Sequence, residues 1–230
     1  MITALRRHQL DFPNPREAGE DGLLAYGGDL SPSRLIRAYR SGIFPWYSKG
    51  DPILWWSPAP RLILNLDDFK LRRSLKKRIK QFEYRIDSAF TKVMGHCAET
   101  PRPGQSGSWI LPEIIEAYEV LHGMGIAHSF ETYKDGRLVG GLYGVAIGRV
   151  FCGESMFAHE NDASKAAFAV LIRHLKAWGF DFIDAQIPTE HLKSLGAIEV
   201  DREYFLMRLD NVKDEDVNAD AWKLNEELIG

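Results

Sequence analysis

An α+β fold is predicted, with a small N-terminal α/β domain (residues 1–62) and a larger C-terminal domain (residues 63–230). Three observations predict it. The first sixty residues are rich in Pro, Gly and aromatics around one short helical segment. A tight-turn dipeptide joins two strand-like runs after Ala127. Helix, strand, helix and strand then alternate to Leu209.

Taken in order, Ser31-Pro32 opens the first helix: Ser can cap free N–H groups and Pro tolerates the first helical position. Leu35, Ile36 and Tyr39 form its apolar stripe and Gly42 ends it. Ile43 to Pro60, with four prolines and three tryptophans, predicts a packed irregular segment, and the domain boundary falls near Pro60 to Leu62. Leu71, Leu75 and Ile79 recur every fourth residue and predict a helix over 67–81. PRPGQSG (101–107) reads as a loop. Pro112 starts a helix with Ile114, Ile115, Tyr118 and Leu121 on one side and Gly123 near its end. Asp135-Gly136 between apolar runs predicts a hairpin, and Gly148-Arg149 a second turn. A helix over 162–178 buries Phe168, Leu171, Ile172, Leu175 and Trp178. FDFIDAQI reads as a strand, Thr189 to Leu195 as a short helix closed by Gly196, and EYFLMRL as a final strand. The acidic tail from Asp210 is expected to be solvated or partly ordered.

Composition narrows the class. The chain has 230 residues, 45% hydrophobic and 27% charged, so it can fill a core. No apolar run approaches the ~20 residues that cross a bilayer, so no membrane role is expected. The N-terminal stretch has no apolar run after its arginines, which argues against a secretory signal. Two cysteines, Cys97 and Cys152, make neither a disulfide framework nor a four-cysteine zinc site. A reduced, cytoplasmic protein without a metal is expected. A net charge of −3 argues against a DNA-coating protein, but allows one basic patch.

The order of elements in the C-terminal domain is similar to that of the GCN5-related N-acetyltransferase fold. That fold grips a pyrophosphate with a Gly-rich turn at a helix N-terminus. The corresponding stretch, Phe157 to Lys165, has no glycine and carries Glu160 and Asp162. The fold is therefore expected without the CoA site. No phosphate-binding loop, dinucleotide fingerprint or hydrolase motif appears.

One helix stands apart. Lys70, Arg72, Arg73, Lys76, Lys77, Arg78 and Lys80 lie within eleven residues that hold no acid. A solvated helix face is the ordinary explanation of a charge run. Like charges at i, i+4 destabilise a helix, however, so an uncompensated face favours a polyanionic partner. RNA is the expected one, with Arg72, Arg73, Lys76, Lys77 and Lys80 on its phosphates.

The most specific strings are EDGLLAYGGDLSPSRLIRAYRSGIFPWY, DPILWWSP, SWILPEIIEAYEVLH, GIAHSFETYKDGRLVGGLYGVAIGRVFCGESMF, DASK, IDAQ and HLKSLGA. In order, from Glu20 to Ala197, they resemble the leucyl/phenylalanyl-tRNA–protein transferase family. The resemblance implies an aminoacyltransferase that takes Leu, Phe or Met from charged tRNA. It joins that residue to proteins beginning with Arg or Lys and so marks them for degradation. It implies no cofactor, and a monomer is expected.

The resemblance also implies roles. Trp46, Trp109 and Tyr118 would surround the 3′-terminal adenosine, where stacking is worth ~1–3 kcal/mol per base. Leu142, Phe151, Leu171, Leu175 and Ile183 would form the aminoacyl pocket, and Gly140, Gly141 and Gly144 would leave room on the facing strand. Glu154, Asp184 and Gln186 form the catalytic set. Asp184 and Gln186, two apart in a strand, are expected to leave one face, with Ala185 on the other. Glu154 and Asp184 would supply a negative field for the acceptor's cation, and Asp184 would orient Gln186.

Overall fold

The computed structural model describes residues 2–100, 108–218 and 221–230, so the loop expected at 101–107 lies outside the described residues. The N-terminal part holds β1 (Thr3–Leu5), a 3₁₀ turn (Pro15–Glu17), β2 (Leu23–Gly27), α1 (Pro32–Arg40), β3 (Phe44–Pro45) and β4 (Leu54–Trp56). Next come β5 (Arg61–Asn65), a 3₁₀ turn (Leu66–Asp68), α2 (Arg73–Ile79), β6 (Glu83–Ile86), α3 (Phe90–Glu99) and α4 (Pro112–Gly123). The chain continues through β7 (Ala127–Lys134), β8 (Arg137–Ile147), β9 (Val150–Ala158), α5 (Ala163–Trp178) and β10 (Phe182–Gln186). It ends with α6 (Glu190–Ser194), β11 (Ile198–Val200), α7 (Arg202–Val212) and a 3₁₀ turn (Glu226–Leu228).

Two sheets result. The first has the order β1-β2-β4-β3 and the second β11-β5-β10-β9-β8-β7-β6. In the second sheet β9 and β10 pair in parallel, and the other neighbours are antiparallel. Parallel neighbours need a crossover, which α5 provides. The hairpin at Asp135-Gly136 forms as expected: both residues take positive φ (+51° and +72°) between the paired Lys134 and Arg137.

The second sheet is buried on both faces. One face joins Tyr143, Val145, Cys152 and Phe182 to α1, α3, α4, α7 and the first sheet in a continuous apolar core that includes Leu24 and Trp55. The other joins Leu142, Phe151 and Ile183 to α2 and α5.

Several expectations need correction. EYFLMRL is helical, within α7. Phe205, Leu206, Leu209 and Val212 are buried at helical spacing, and the Asp201 side chain accepts from the Tyr204 N–H at 2.7 Å. The tail is not wholly solvated. Arg173 Nη1 donates to the Ile229 carbonyl at 2.8 Å, the Asn225 N–H to His174 Nε2 at 3.0 Å, and Trp222 stacks on His128 at 3.5 Å between ring centroids. Asp214, Glu215 and Asp216 are exposed. The helix expected over 67–81 is reduced to α2, because the preceding stretch docks elsewhere: the Lys70 N–H donates to the Leu195 carbonyl at 2.8 Å. Ser31 makes no side-chain cap. Its own N–H donates to Asp29 Oδ1 at 2.9 Å. The segment 43–60 holds two short strands, β3 and β4.

Candidate active site

The parallel pairing of β9 and β10 ends at Cys152 opposite Asp184. Beyond that pair, Gly153, Glu154, Ser155 and Met156 on one strand and Ala185, Gln186 and Ile187 on the other line a cavity of about 640 Å³. Leu142 and Tyr143 of β8, Phe151, Ile183 and Phe168 of α5 make its apolar wall. Phe44, Pro45, Trp46 and Trp109, and Thr189, His191 and Leu192, complete its lining. A hollow of this size, largely apolar with a few convergent polar groups, is in the range of small-molecule ligand sites and has room for more than one side chain.

Gln186 owes its place to its backbone. It sits in the left-handed region (φ +56°), and the register against β5 shifts between Asp184 and Gln186. For a non-glycine residue that conformation costs about 1–2 kcal/mol. It breaks the alternation of the strand, so Asp184 and Gln186 do not share an environment as expected. Gln186 reaches the cavity, and Ala185 lines it too instead of facing away. Asp184 stays behind, 2% exposed, where Arg61 Nε and Nη2 donate to its two oxygens at 2.8 and 2.7 Å. Its charge is therefore paired with Arg61, and Glu154 is the acid that faces the cavity. Asp184 does touch Gln186, by accepting its backbone N–H at Oδ1, 3.0 Å.

Glu154 accepts at Oε1 from Gln186 Nε2 at 2.9 Å and from the Tyr39 hydroxyl at 2.7 Å. With Nε2 so engaged, the Gln186 amide oxygen is the group left to accept from an incoming amine. Burial, reinforced by the Asp184 charge, pushes the Glu154 carboxyl up to about 7, against the pull of the Tyr39 and Gln186 hydrogen bonds. Its side chain is half-buried at the cavity wall. Tyr39 bonds in turn to the Tyr118 hydroxyl, and burial followed by the Glu154 charge holds both phenols well above their ordinary range. Both therefore stay protonated.

The structure brings Trp46, Trp109, Leu142, Phe151, Glu154, Ile183 and Gln186 together around one hollow. Tyr118, Leu171 and Leu175 are not among its lining residues. Tyr118 is fully buried and presents no face to a base. Leu171 and Leu175 lie one and two turns beyond Phe168 on α5, some 4–10 Å further along the axis, in the core. Phe168 and Met156 line the cavity without having been singled out. Phe168 was visible only as one more apolar residue of a buried stripe. The glycines expected to leave room for a ligand are filled by the protein itself. A Cβ on Gly140 would stand 2.6 Å from Ala163 Cβ, and one on Gly144 2.5 Å from Phe151 Cζ. Gly144 thus seats the Phe151 ring that lines the cavity.

On α2, Leu75 and Ile79 are buried, while Arg72, Arg73, Lys76, Lys77 and Lys80 are exposed and make no ion pair among the described residues. The segment leading into α2 is bonded to Leu195, just past α6, whose His191 and Leu192 line the cavity. The start of the cationic segment is thus tied to the chain that follows α6. Among the described residues, no three His, Cys, Asp or Glu side chains cluster as a metal site, and no helix is long and apolar enough to cross a membrane.

Comparison with known proteins agrees with the strings quoted above. A family model described as leucyl/phenylalanyl-tRNA protein transferase matches residues 63–210, and one for the N-terminal domain of the same transferase matches residues 28–59. A leucyl/phenylalanyl-tRNA--protein transferase of Sulfurimonas denitrificans is 65% identical, over 97% of this chain and 98% of its own. One of Maridesulfovibrio salexigens is 54% identical, over 94% of this chain and 91% of its own. A solved structure titled L-PGS from Bacillus licheniformis covers 74% of this chain and 57% of its own at 12% identity, with a TM-score of 0.39, too slight a likeness to argue from.

Proposed function

This chain belongs to the leucyl/phenylalanyl-tRNA protein transferase family, and from that premise we propose that it moves leucine, phenylalanine or methionine from charged tRNA to the N-terminal amine of proteins beginning with Arg or Lys, in the cytoplasm, so marking them for degradation. The observation that carries the reading is one hollow whose apolar wall ends at a single hydrogen-bonded carboxyl–amide pair, Glu154–Gln186. The apolar wall suits an uncharged donor side chain. Glu154, ionised above about pH 7, suits a cation. Trp46 and Trp109 offer rings at the rim for the terminal adenosine, and α2 offers cations for the phosphates behind it.

The reaction is an ester aminolysis. The amine nitrogen attacks the ester carbonyl carbon, the C–N bond forms, and the bond to the ribose oxygen breaks. One proton leaves the amine, and the ribose oxygen departs as a hydroxyl. An α-amino group has pKa ≈ 7.7–8.0, so a usable fraction is already neutral near pH 7. The chain's main contribution is placement, where effective molarity supplies several kcal/mol. The Gln186 amide oxygen accepts from the amine as it approaches, and Glu154 holds the acceptor's cationic side chain. Tyr39 and Tyr118 support Glu154 from behind.

The reading extends to the scaffold. Residues 63–230 form an acetyltransferase-like catalytic domain, supported by three antiparallel strands (β7, β8, β9) and a helical crossover to parallel β10. Residues 1–62 form the small lobe that lends Phe44, Pro45 and Trp46 to the cavity.

The direct test is to mix the protein with radiolabelled leucyl-tRNA and a peptide beginning with Arg. Label on the peptide supports the reading, and label that stays on tRNA with an active preparation refutes it. Trp109→Ala is expected to raise KM for charged tRNA about tenfold, the loss of one stacked base, with kcat little changed. A wild-type KM in that variant removes the stacking role.

A further inference from the structure

We propose that Arg61 is a positioning residue for the Glu154–Gln186 pair, acting through Asp184. The inference rests on the transferase reading above but concerns a residue outside the cavity. Arg61 lies on β5, the antiparallel neighbour of β10, and is 1% exposed. Its guanidinium lies over two aromatic rings, Phe44 at 5.0 Å from the ring centroid and Phe205 of α7 at 4.3 Å. Those rings hold its plane while its fork meets Asp184 bidentately, Nε to Oδ1 at 2.8 Å and Nη2 to Oδ2 at 2.7 Å. A planar fork fixes the carboxylate's rotation in a way an ammonium does not.

That rotation has a consequence one step further on. Asp184 Oδ1 also accepts the Gln186 backbone N–H at 3.0 Å, across the point where the register shifts and the backbone turns left-handed. Gln186 would otherwise relax toward ordinary strand geometry, which puts its side chain on the buried side with Asp184. Its reach into the cavity, and its hydrogen bond to Glu154 at 2.9 Å, depend on this bond holding. The path is continuous: aromatic rings fix Arg61, Arg61 fixes Asp184, Asp184 fixes the bend, and the bend presents Gln186. Neither Arg61 nor Asp184 lines the cavity, so neither touches the substrates.

The test uses Arg61→Lys, which keeps a buried positive charge beside Asp184 but loses the fork, and Arg61→Met as the severe case. In Arg61→Lys the expected result is a kcat about 10–100-fold lower, as for a misplaced reacting group. KM for leucyl-tRNA should stay within about twofold of the wild type. Amide hydrogen exchange, followed without substrate, should accelerate about tenfold or more at Gln186 while Phe182 and Ile183 in the same strand keep their protection. Faster exchange along the whole strand would mean a general loss of structure, and would overturn the proposal. So would wild-type kcat with unchanged Gln186 exchange, or a KM that rises as kcat falls, since that is the mark of a lost substrate contact. If Arg61→Met does not fold, Arg61→Lys alone decides. If the wild type transfers no label, the transferase reading fails, and the exchange result still decides whether Arg61 holds Gln186.

Discussion

Glu154→Gln is expected to cut transfer to Arg- and Lys-starting peptides by about a hundredfold to a thousandfold, while transfer to an Ala-starting peptide changes far less. Losing one partner of a desolvated charge pair costs about 2–5 kcal/mol. Here no second acid shares the load, because Arg61 already occupies both oxygens of Asp184. The substitution is nearly isosteric, and the new amide oxygen can still accept from Tyr39 and Gln186, so the loss reports charge. The pH dependence gives an independent check. Glu154 is neutral below about pH 7 and anionic above it. The ratio of Arg-peptide to Ala-peptide transfer should therefore rise about tenfold between pH 6 and 8 in the wild type and stay flat in Glu154→Gln. The ratio cancels the ionisation of the α-amine, which both peptides share. Stability runs the other way. A carboxyl that rises from 4.5 unfolded to about 7 folded binds more protons in the native state between those values. Native stability therefore falls as pH rises through that window and levels off above it, by up to about 3 kcal/mol and less where cavity water screens the charge. Glu154→Gln should lack that fall. A parallel decline in both proteins, read as denaturation midpoints, would remove the assignment.

Reversing Arg72, Lys76 and Lys80 to Glu should weaken charged-tRNA binding about a hundredfold or more at 0.1 M salt. Each phosphate contact contributes a salt slope of about 0.7–0.9, which is nearly a decade of affinity at that concentration relative to 1 M. The slope itself should flatten by about two to three. These side chains are exposed while Leu75 and Ile79 carry the packing, so the thermal midpoint should barely move. Unchanged tRNA affinity in a folded triple variant would sink the docking face. Aminoacyl preference should also be unaffected, since none of the three lines the cavity.

Much of this was legible in the sequence, and the physical reasons for the exceptions are specific. Local signals with a mechanism transferred well: Asp135-Gly136 for a hairpin, Pro112 for a helix start, the i, i+4 leucines of α5 for a buried face. Glu203 to Leu209 misled because a short apolar run does not declare its period, and Asp201, the residue that caps the helix, lies just outside it. At the site, Trp46, Trp109, Glu154 and Gln186, which the family-like strings single out, all line the hollow. Leu171 and Leu175, which the resemblance assigns to the pocket, lie in the core further along α5, since matching a string does not tell how far along a helix a cavity extends. Arg61 was invisible for a different reason. Its partner is 123 residues away, and no local pattern encodes a long-range pair. The left-handed bend at Gln186 was equally hidden, since glutamine carries none of the preference that marks glycine at such positions.

The hollow exists because two parallel strands stop pairing at Cys152 and Asp184, not because the residues around it are small. Scaffold and taste are thereby separable. Exchanging Leu142, Met156 or Phe168 for other apolar groups should therefore reshape the wall of the hollow while the opening, set by the backbone, stays in place.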